Sequence, residues 1–151
     1  GAEKKIRQYL VKNNFVDAII QLPPNLFFGV GIATCIIVLK KSAKTDASVL
    51  FIDASRQFAK NGNKNVLLPE HQDRIMELYA NRKDEQYLAK LVKNDDILEN
   101  DCNLSVSSYV EQEDTREVIK IGEVNQELRS LVAQGRELDE QIEAIIKELG
   151  E

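Results

Sequence analysis

The sequence predicts an α/β fold that combines a sheet containing an antiparallel hairpin, flanking helices and a long C-terminal helix. Two short apolar runs rich in Ile and Val, residues 18–22 and 33–39, have the composition of strands. Between them lies a loop with Pro23 and Gly29, residue types that end strands and permit unusual backbone angles. From Ile121 onward the apolar residues recur every three or four positions, which is typical of a helix that packs against another helix.

The first element is predicted to be an amphipathic helix over residues 2–14. Ile6, Leu10 and Val11 fall on one side of it, and lysine and arginine on the other. The helix leads directly into the first strand, so we expect it to pack on one face of the hairpin. Because both hairpin strands are nearly continuous apolar runs, we expect them to be buried on both faces, well inside a larger sheet.

The middle of the chain predicts a strand, a loop and a helix. Residues 49–54 form the third strand, and the polar residues 56–65, which include Asn-Gly-Asn, indicate a surface loop. Pro69 is well placed as the first residue of a helix that runs to about residue 81. The side chains expected to face inward from this helix are Ile75, Leu78 and Tyr79.

The first predicted domain comprises residues 1–110. Near its end, the hydrophobic pattern that predicts helices and strands is weaker. Residues 87–101 indicate a short helix and an extended piece. A further short extended segment is predicted from Leu104, Val106 and Tyr109. The second predicted domain, residues 111–151, is the long C-terminal helix with its approach.

This C-terminal helix presents a narrow apolar stripe, which we call the seam. Its residues are Ile121, Val124, Leu128, Leu131, Leu138, Ile142, Ile145 and Leu149. Gly135 interrupts the seam and weakens the helix by roughly 1 kcal/mol relative to alanine. A helix of this kind needs another helix to pack against, so the seam is either a partner interface or a brace within the chain.

Charge is distributed unevenly along the chain. Residues 1–44 carry seven Lys or Arg against two acids, residues 45–110 eight against eleven, and residues 111–151 five against twelve. If the chain meets DNA, its basic first third is therefore expected to do so, with Lys40, Lys41 and Lys44 as candidate phosphate ligands. The alternative is that these lysines only keep one end of the domain in water.

Composition indicates a soluble, cytoplasmic protein. No apolar run approaches the roughly 20 residues that a membrane helix needs, and the basic, polar N-terminus does not have the pattern of a signal peptide. Cys35 and Cys102 have no metal-ligand spacing and form no disulfide framework, so we interpret both as reduced thiols. His71 is expected at the surface, and Asp53 in a cap or turn or, alternatively, facing a ligand at the end of its strand.

Phe27 and Phe28 stand out, because a loop of polar residues and chain breakers has no local reason to carry two adjacent aromatic rings. Residues 22–34 read Leu-Pro-x-Asn-Leu-Phe-Phe-Gly-x-Gly-Ile-x-Thr and are followed by Cys-Ile-Ile-Val-Leu-Lys. This motif strongly resembles the modification subunit of type I restriction-modification enzymes, which are S-adenosylmethionine-dependent adenine-N6 DNA methyltransferases. The resemblance covers most of residues 1–110 and includes Gly1-Ala2-Glu3, Phe51-Ile52-Asp53-Ala54-Ser55, Asn65-x-Leu67 and Asn103-Leu104.

The resemblance implies the C-terminal portion of a Rossmann-like methyltransferase sheet, with DNA as substrate. Enzymes that modify a base rotate it out of the duplex, and an aromatic face is a suitable surface for the extruded base. Phe27 matches the aromatic residue that stacks on the target adenine in the broader family, with Phe28 as second candidate. The alternative is that both rings plug the sheet edge. Val30 and Ala33 depart from the family pattern, which usually has Thr and Pro there.

Two motifs of such enzymes are missing from the chain: the Asn/Asp-Pro-Pro-aromatic motif that holds the amino group, and the glycine-rich turn that binds the cofactor. Pro23-Pro24-Asn25 has these residues in the wrong order, and Gly29-Val30-Gly31 lies between two strands rather than before a helix. We therefore expect a fragment with no catalytic residue, no metal site and no S-adenosylmethionine site of its own, although the intact subunit uses S-adenosylmethionine.

The resemblance also implies partners, namely the specificity subunit and the restriction subunit of the complex. The seam of the C-terminal helix would then dock on the long helices of the specificity subunit. The alternative function is a non-catalytic interaction module that self-associates through this helix. Under the first hypothesis, the neighbouring strands of the sheet are absent, so the fragment should expose an apolar edge or face and is expected to self-associate.

Overall fold

The computed structural model describes residues 1–42, 44–113 and 121–150. The chain divides into two compact units, residues 1–113 and 114–151. In the first unit the elements are α1 (Ala2–Lys12), β1 (Val16–Gln21), β2 (Cys35–Leu39), β3 (Ser48–Asp53), β4 (Ala59–Asn61), β5 (Lys64–Val66), α2 (Pro69–Asn81), β6 (Ala89–Lys93), α3 (Asn94–Glu99) and a 3-10 turn (Val106–Ser108). The second unit contains α4 (Ile121–Leu149).

The main sheet has four strands in the order β2-β1-β3-β6. β1 is antiparallel to β2 and parallel to β3, and β3 is antiparallel to β6. The predicted α/β class, with its antiparallel hairpin, flanking helices and long C-terminal helix, is therefore confirmed.

Alternate residues of the central strands supply two separate cores, because side chains of a strand point to opposite faces of the sheet. On β3, Val49 and Phe51 enter one core, and Leu50 and Ile52 enter the other. The first core is covered by α1, α3 and the 3-10 turn, through Val11, Ile97 and Val106. The second is covered by α2, through Ile75 and Leu78. Helical structure thus covers both faces, whereas the sequence predicted a helix on one face.

Burial of the hairpin on both faces is correct for β1 and wrong for β2. All β1 residues from Val16 to Ile20 are buried, but β2 is the edge strand, and Ile36 and Ile37 are each 47% exposed. An apolar run predicts that a strand is buried, but it does not identify the residues that bury it. In this chain, β2 therefore presents apolar side chains to solvent.

Residues 56–65 are not a plain surface loop, since most of them belong to the β4–β5 hairpin. Asn61 pairs with Lys64, and Gly62 takes φ = 62° at the first position of the two-residue turn. Glycine adopts this left-handed conformation without steric cost, and such turns close hairpins. The strands are short and polar, so they lack the apolar alternation by which strands are predicted.

One smaller prediction is wrong. Residues 106–108 form a 3-10 turn rather than an extended segment, and only Val106 of that turn is buried. The helix α1 forms as predicted, and of its apolar side Val11 is buried while Ile6 is exposed.

The remaining helix predictions are confirmed. α1 ends at Lys12, with Asn14 in the left-handed conformation, and α2 begins at Pro69 and ends at Asn81. The extended piece and short helix expected over residues 87–101 are β6 and α3. No helix in the described ranges is long and apolar enough to cross a membrane.

The different burial of β1 and β2 predicts different stability losses for the cross-strand partners Ile19 and Ile37. Ile19 is 1% exposed, so Ile19→Ala should lower the free energy of unfolding by about 2–5 kcal/mol. Ile37→Ala should cost less than about half as much, because that side chain already contacts water. Urea denaturation of both variants measures the difference. Equal losses would mean that β2 is covered in solution.

Candidate functional site

The aromatic loop, residues 22–34, joins β1 to β2 and is fixed at its base. Leu22 belongs to the core on the α2 side of the sheet, and Pro23 is fully buried. The Leu22 amide donates to the carbonyl of Thr34 over 2.8 Å, which continues the hairpin pairing by one step. The loop therefore leaves the sheet from a rigid stem.

The tip of the loop is a tight turn built around Gly29. The Val30 amide donates to the carbonyl of Phe27 over 3.2 Å, and Gly29, at the third position of this turn, has φ = 71°. A side chain at that position would be strained, which explains the glycine. The turn holds Phe27 and Phe28 at its first two positions.

Asn65, on β5, ties the loop to the β4–β5 hairpin. Its backbone amide donates to the carbonyl of Asn25 over 3.0 Å, and its side-chain amide donates to the carbonyl of Pro24 over 2.7 Å. Asn65 is 8% exposed, so both bonds are shielded from water. The loop and the hairpin therefore act as one ordered unit.

Both aromatic rings are accessible. Phe27 is 52% exposed and Phe28 87% exposed. The alternative in which both rings plug the sheet edge requires them to be buried, and neither ring is. The ammonium of Lys64 lies 4.3 Å from the centroid of the Phe28 ring, a distance typical of a cation–π contact. A cleft of about 190 Å³ opens beside Phe27, with Lys64 and Asn63 on its far side.

The three candidate phosphate lysines do not join this aromatic surface. Lys40 follows the last residue of β2, and the Lys44 ammonium donates to the carbonyl of Val16 over 2.6 Å, at the start of β1. Lys41 is exposed. A six-residue strand such as β1 is about 20 Å long, so Lys40 and Lys44 lie at the opposite end of the sheet from Phe27.

Asp17 organises this opposite end. The pairing of β1 with β2 shifts between Val16 and Ala18, which makes Asp17 the extra residue of a β-bulge. Its carboxylate is 1% exposed and accepts a hydrogen bond from the Tyr79 hydroxyl over 2.6 Å. Arg82 and Lys40 reach it at 3.0 Å and 3.1 Å.

These partners set the charge state of the cluster. Burial acts to raise the pKa of Asp17, but the hydrogen bonds from Tyr79 and Lys40 and the charge of Arg82 outweigh it, so the pKa lies below its ordinary value of 3.8. The Asp17 carboxylate raises the pKa of Lys40. For Lys44 burial is the main cause, and it lowers the pKa.

Three other residues have structural surroundings. Asp53 is buried, and its carboxylate accepts from the Ser55 amide over 2.9 Å, which confirms the turn role. His71 is not a free surface residue, since its side chain is 16% exposed and Nδ1 accepts from the Leu68 amide over 3.1 Å at the start of α2. Cys35 is exposed and Cys102 buried, and both are free thiols. The described residues contain no cluster of potential metal ligands.

The second unit, by itself, exposes its seam. α4 runs through Gly135 without a break, and the seam residues from Ile121 to Leu149 are each at least 50% exposed. Val132 and Ile146, which the predicted seam omits, are also exposed and widen the apolar stripe. A methyl group at Gly135 would meet no atom within 4 Å.

Sequence reasoning missed Lys64 and the Asp17 cluster. Lys64 lies in a segment interpreted as a plain loop, and no sequence signal places it beside Phe28. Asp17 did leave a signal, because an acid inside a buried apolar strand must find partners. Its partners Tyr79 and Arg82 are more than 60 residues away and could not be identified from spacing.

The comparison with protein families decides the membership of the chain. A family model described as N-6 DNA Methylase matches residues 1–118. The chain belongs to the N-6 DNA methylase family. The resemblance inferred from the aromatic loop is thereby confirmed at the level of the family.

Relatives within the N-6 DNA methylase family are subunits of type I restriction enzymes. The chain is 38% identical over 149 residues to the MpnII methylase subunit of Mycoplasma pneumoniae, covering 99% of this chain and 27% of that protein. It is 34% identical to the MjaVII methylase subunit of Methanocaldococcus jannaschii, covering 94% of this chain and 26% of that protein. The chain thus spans about a quarter of the length of these relatives.

A solved structure agrees. The type I restriction-modification methyltransferase subunit from Streptococcus thermophilus is 39% identical to this chain, with a TM-score of 0.72. The match covers 75% of this chain and 24% of that one. Three quarters of this chain is therefore similar in structure to part of a methyltransferase subunit.

The Asp17 cluster predicts a pH-dependent stability term. Because the pKa of Asp17 is lower in the folded chain, the cluster stabilises the fold above the ordinary pKa of 3.8, and this contribution is lost as pH falls through the folded value. Asp17→Asn should therefore lower the free energy of unfolding at pH 7 by about 1–3 kcal/mol. The deficit should begin to shrink below about pH 4, where the carboxyl of the unfolded wild-type chain takes up a proton, and it should vanish once pH falls through the lowered pKa of the folded chain.

Urea denaturation of the wild type and the variant between pH 3 and 7 measures this deficit. Asp73→Asn, which removes an exposed carboxylate on α2, is the control and should show little loss at any of these pH values. A deficit for Asp17→Asn that stays constant over the whole range would contradict the charge-based account.

Proposed function

We propose that this chain supplies the target-base loop of an adenine-N6 DNA methyltransferase, the modification subunit of a type I restriction-modification system. In the intact subunit the methyl donor is S-adenosylmethionine and the acceptor is the amino group of an adenine in DNA. Phe27 stacks on the extruded adenine, and Phe28 flanks it. The chain belongs to the N-6 DNA methylase family, which supports this chemistry.

The observation that carries the proposal is an exposed ring on an anchored loop. Phe27 is 52% exposed, although burial of its ring would stabilise the fold by roughly 1.5–3 kcal/mol. The loop stem is buried, and two hydrogen bonds from Asn65 hold the loop in place. An aromatic side chain that is both exposed and preorganised suits a planar ligand, because stacking requires little further ordering.

The position of the loop also suits a ligand. It follows the carboxyl end of β1, which is parallel to its neighbour β3. Ligands of open α/β sheets bind outside the carboxyl ends of the strands. The groups that hold the adenine amino group and the cofactor are supplied by other residues of the intact subunit, because this chain has neither of the corresponding motifs.

Phe27→Ala in the intact subunit should lower the single-turnover methylation rate by about 5- to 150-fold, the equivalent of the roughly 1–3 kcal/mol lost per stacked base. Fluorescence of 2-aminopurine at the target position should show weaker retention of the extruded base. Ile32→Ala is the matched control, since Ile32 is an apolar residue of the same loop and is 74% exposed. It should leave both measurements nearly unchanged.

Cofactor affinity separates stacking from a structural role. Calorimetry with S-adenosylmethionine should give the same affinity for Phe27→Ala and the wild type. An equal loss of cofactor binding and methylation would mark Phe27 as a structural residue and contradict the proposal.

We further propose that the seam of α4 docks on a helix of the specificity subunit, within a complex that also contains the restriction subunit. Seam residues are at least 50% exposed within their unit, and the surface at Gly135 has room for a partner side chain. An apolar stripe of this length on a single helix needs a covering helix. The same stripe favours the second candidate function, self-association of a non-catalytic interaction module.

Leu138→Glu should weaken binding of the intact subunit to its specificity subunit at least about tenfold, because it replaces about 1.5–3 kcal/mol of leucine burial with a charge. Ala133→Glu, on the opposite side of α4, is the control and should bind as the wild type. Sedimentation of the chain alone tests the alternative. If Leu138→Glu abolishes a dimer and leaves the specificity subunit bound normally, the seam serves self-association.

A further inference from the structure

The β4–β5 hairpin carries positive charge that the proposed function does not use. Residues 55–69 contain Arg56, Lys60 and Lys64 and no acidic residue. Arg56 is paired with Glu113 at 3.0 Å. Lys60 and Lys64 are both exposed on the hairpin strands.

Sheet topology places this hairpin beside the aromatic loop. β1 and β3 are parallel neighbours, so the segments that follow them leave the sheet at the same end. The Ala54 amide, directly after β3, donates to the carbonyl of Gln21 over 2.9 Å, at the end of β1. The two bonds from Asn65 then fix the hairpin against the loop.

The two lysines differ electrostatically from Lys40 at the other end of the sheet. None of the ion pairs formed between described residues involves Lys60 or Lys64, whereas Lys40 is paired with the buried carboxylate of Asp17. Lys64 lies over the Phe28 ring, and an ammonium in a cation–π contact keeps N–H donors for an anion. Lys64 lines the cleft beside Phe27 and also lies over the Phe28 ring, so positive charge and exposed rings adjoin there, and Lys60 lies on the neighbouring strand of the same hairpin.

We propose that Lys60 and Lys64 of the β4–β5 hairpin bind backbone phosphates of the DNA strand whose base is held by the aromatic loop. This inference rests on the proposed function, because it requires the loop to face DNA. A nucleotide rotated out of the stack brings its own phosphates close to the surface that holds the base. Lysine suits this task as a mobile point charge, and such contacts position the strand without reading its sequence.

The test measures the salt dependence of DNA binding by the intact subunit in its complex, using a fluorescent duplex between 50 and 200 mM salt. Lys64→Gln and Lys60→Gln should each reduce the slope of log K against log salt by about 0.9, and the double variant by about 1.8. Lys64→Arg, which keeps the charge, should retain the wild-type slope. Lys83→Gln, which removes an exposed charge after α2, is the control and should also retain it.

The outcomes separate this inference from the base-stacking proposal. Phe27→Ala should retain the wild-type slope even when it loses the 2-aminopurine signal. If Phe27→Ala has no effect on the base while Lys64→Gln still lowers the slope, stacking fails and the phosphate contact stands. An unchanged slope in the double variant would overturn the phosphate contact, even if Lys64→Gln altered the 2-aminopurine signal by loosening Phe28.

Discussion

The parallel pairing of β1 with β3 is the constraint on which the candidate site depends. Two parallel neighbours send the segments that follow them out of the same end of the sheet, so the aromatic loop after β1 and the β4–β5 hairpin after β3 emerge side by side. Asn65 then turns this proximity into a fixed geometry through its bonds to Pro24 and Asn25. The loop tip can thus expose two phenylalanines and remain ordered, because its order comes from backbone hydrogen bonds and a buried stem rather than from packing of the rings themselves.

The other end of the sheet obeys a different requirement, the neutralisation of a buried acid. A β-bulge turns Asp17 toward α2, where a carboxylate without partners would cost several kcal/mol. This cost is offset by the contacts of Asp17 with Tyr79, Arg82 and Lys40. The same contacts connect the C-terminal end of α2 to the start of β1 and the end of β2. Lysines near this acid serve the fold. Between the residues that the structure describes, Lys60 and Lys64 near the aromatic loop form no ion pair, and this distinguishes their surroundings from those of Lys40.

Sequence patterns predicted those parts of the fold whose signals are local. Pro69 at the start of α2, the asparagines after α1 and the Ile-rich run of β1 each act within a few residues, and the structure has these elements where they were predicted. The aromatic loop could be identified because two adjacent aromatic residues are unusual in a loop of polar residues, prolines and glycines. Contacts that join distant segments could not be predicted, since nothing near Asn65 specifies Pro24 as its partner and nothing near Asp17 specifies Arg82. Charge counted along the sequence pointed to Lys40 and Lys44, which the fold carries to the opposite end of the sheet from Phe27.

The misreading of β2 has a physical cause that also explains the exposed seam of α4. A hydrophobic pattern predicts that a segment is buried, whatever covers it. In the structure of one chain, the segment is buried only where residues of that chain cover it. Ile36 and Ile37 lie on an edge strand whose five residues include neither lysine nor proline, residue types that normally protect such an edge. The seam of α4 likewise has the spacing of an interface and no cover within its unit. Relatives of this chain are about four times longer, and a shared architecture would give both surfaces a reason to be apolar. Exposed apolar residues at regular strand or helix spacing are therefore better interpreted as interfaces for another polypeptide surface than as defects in core packing.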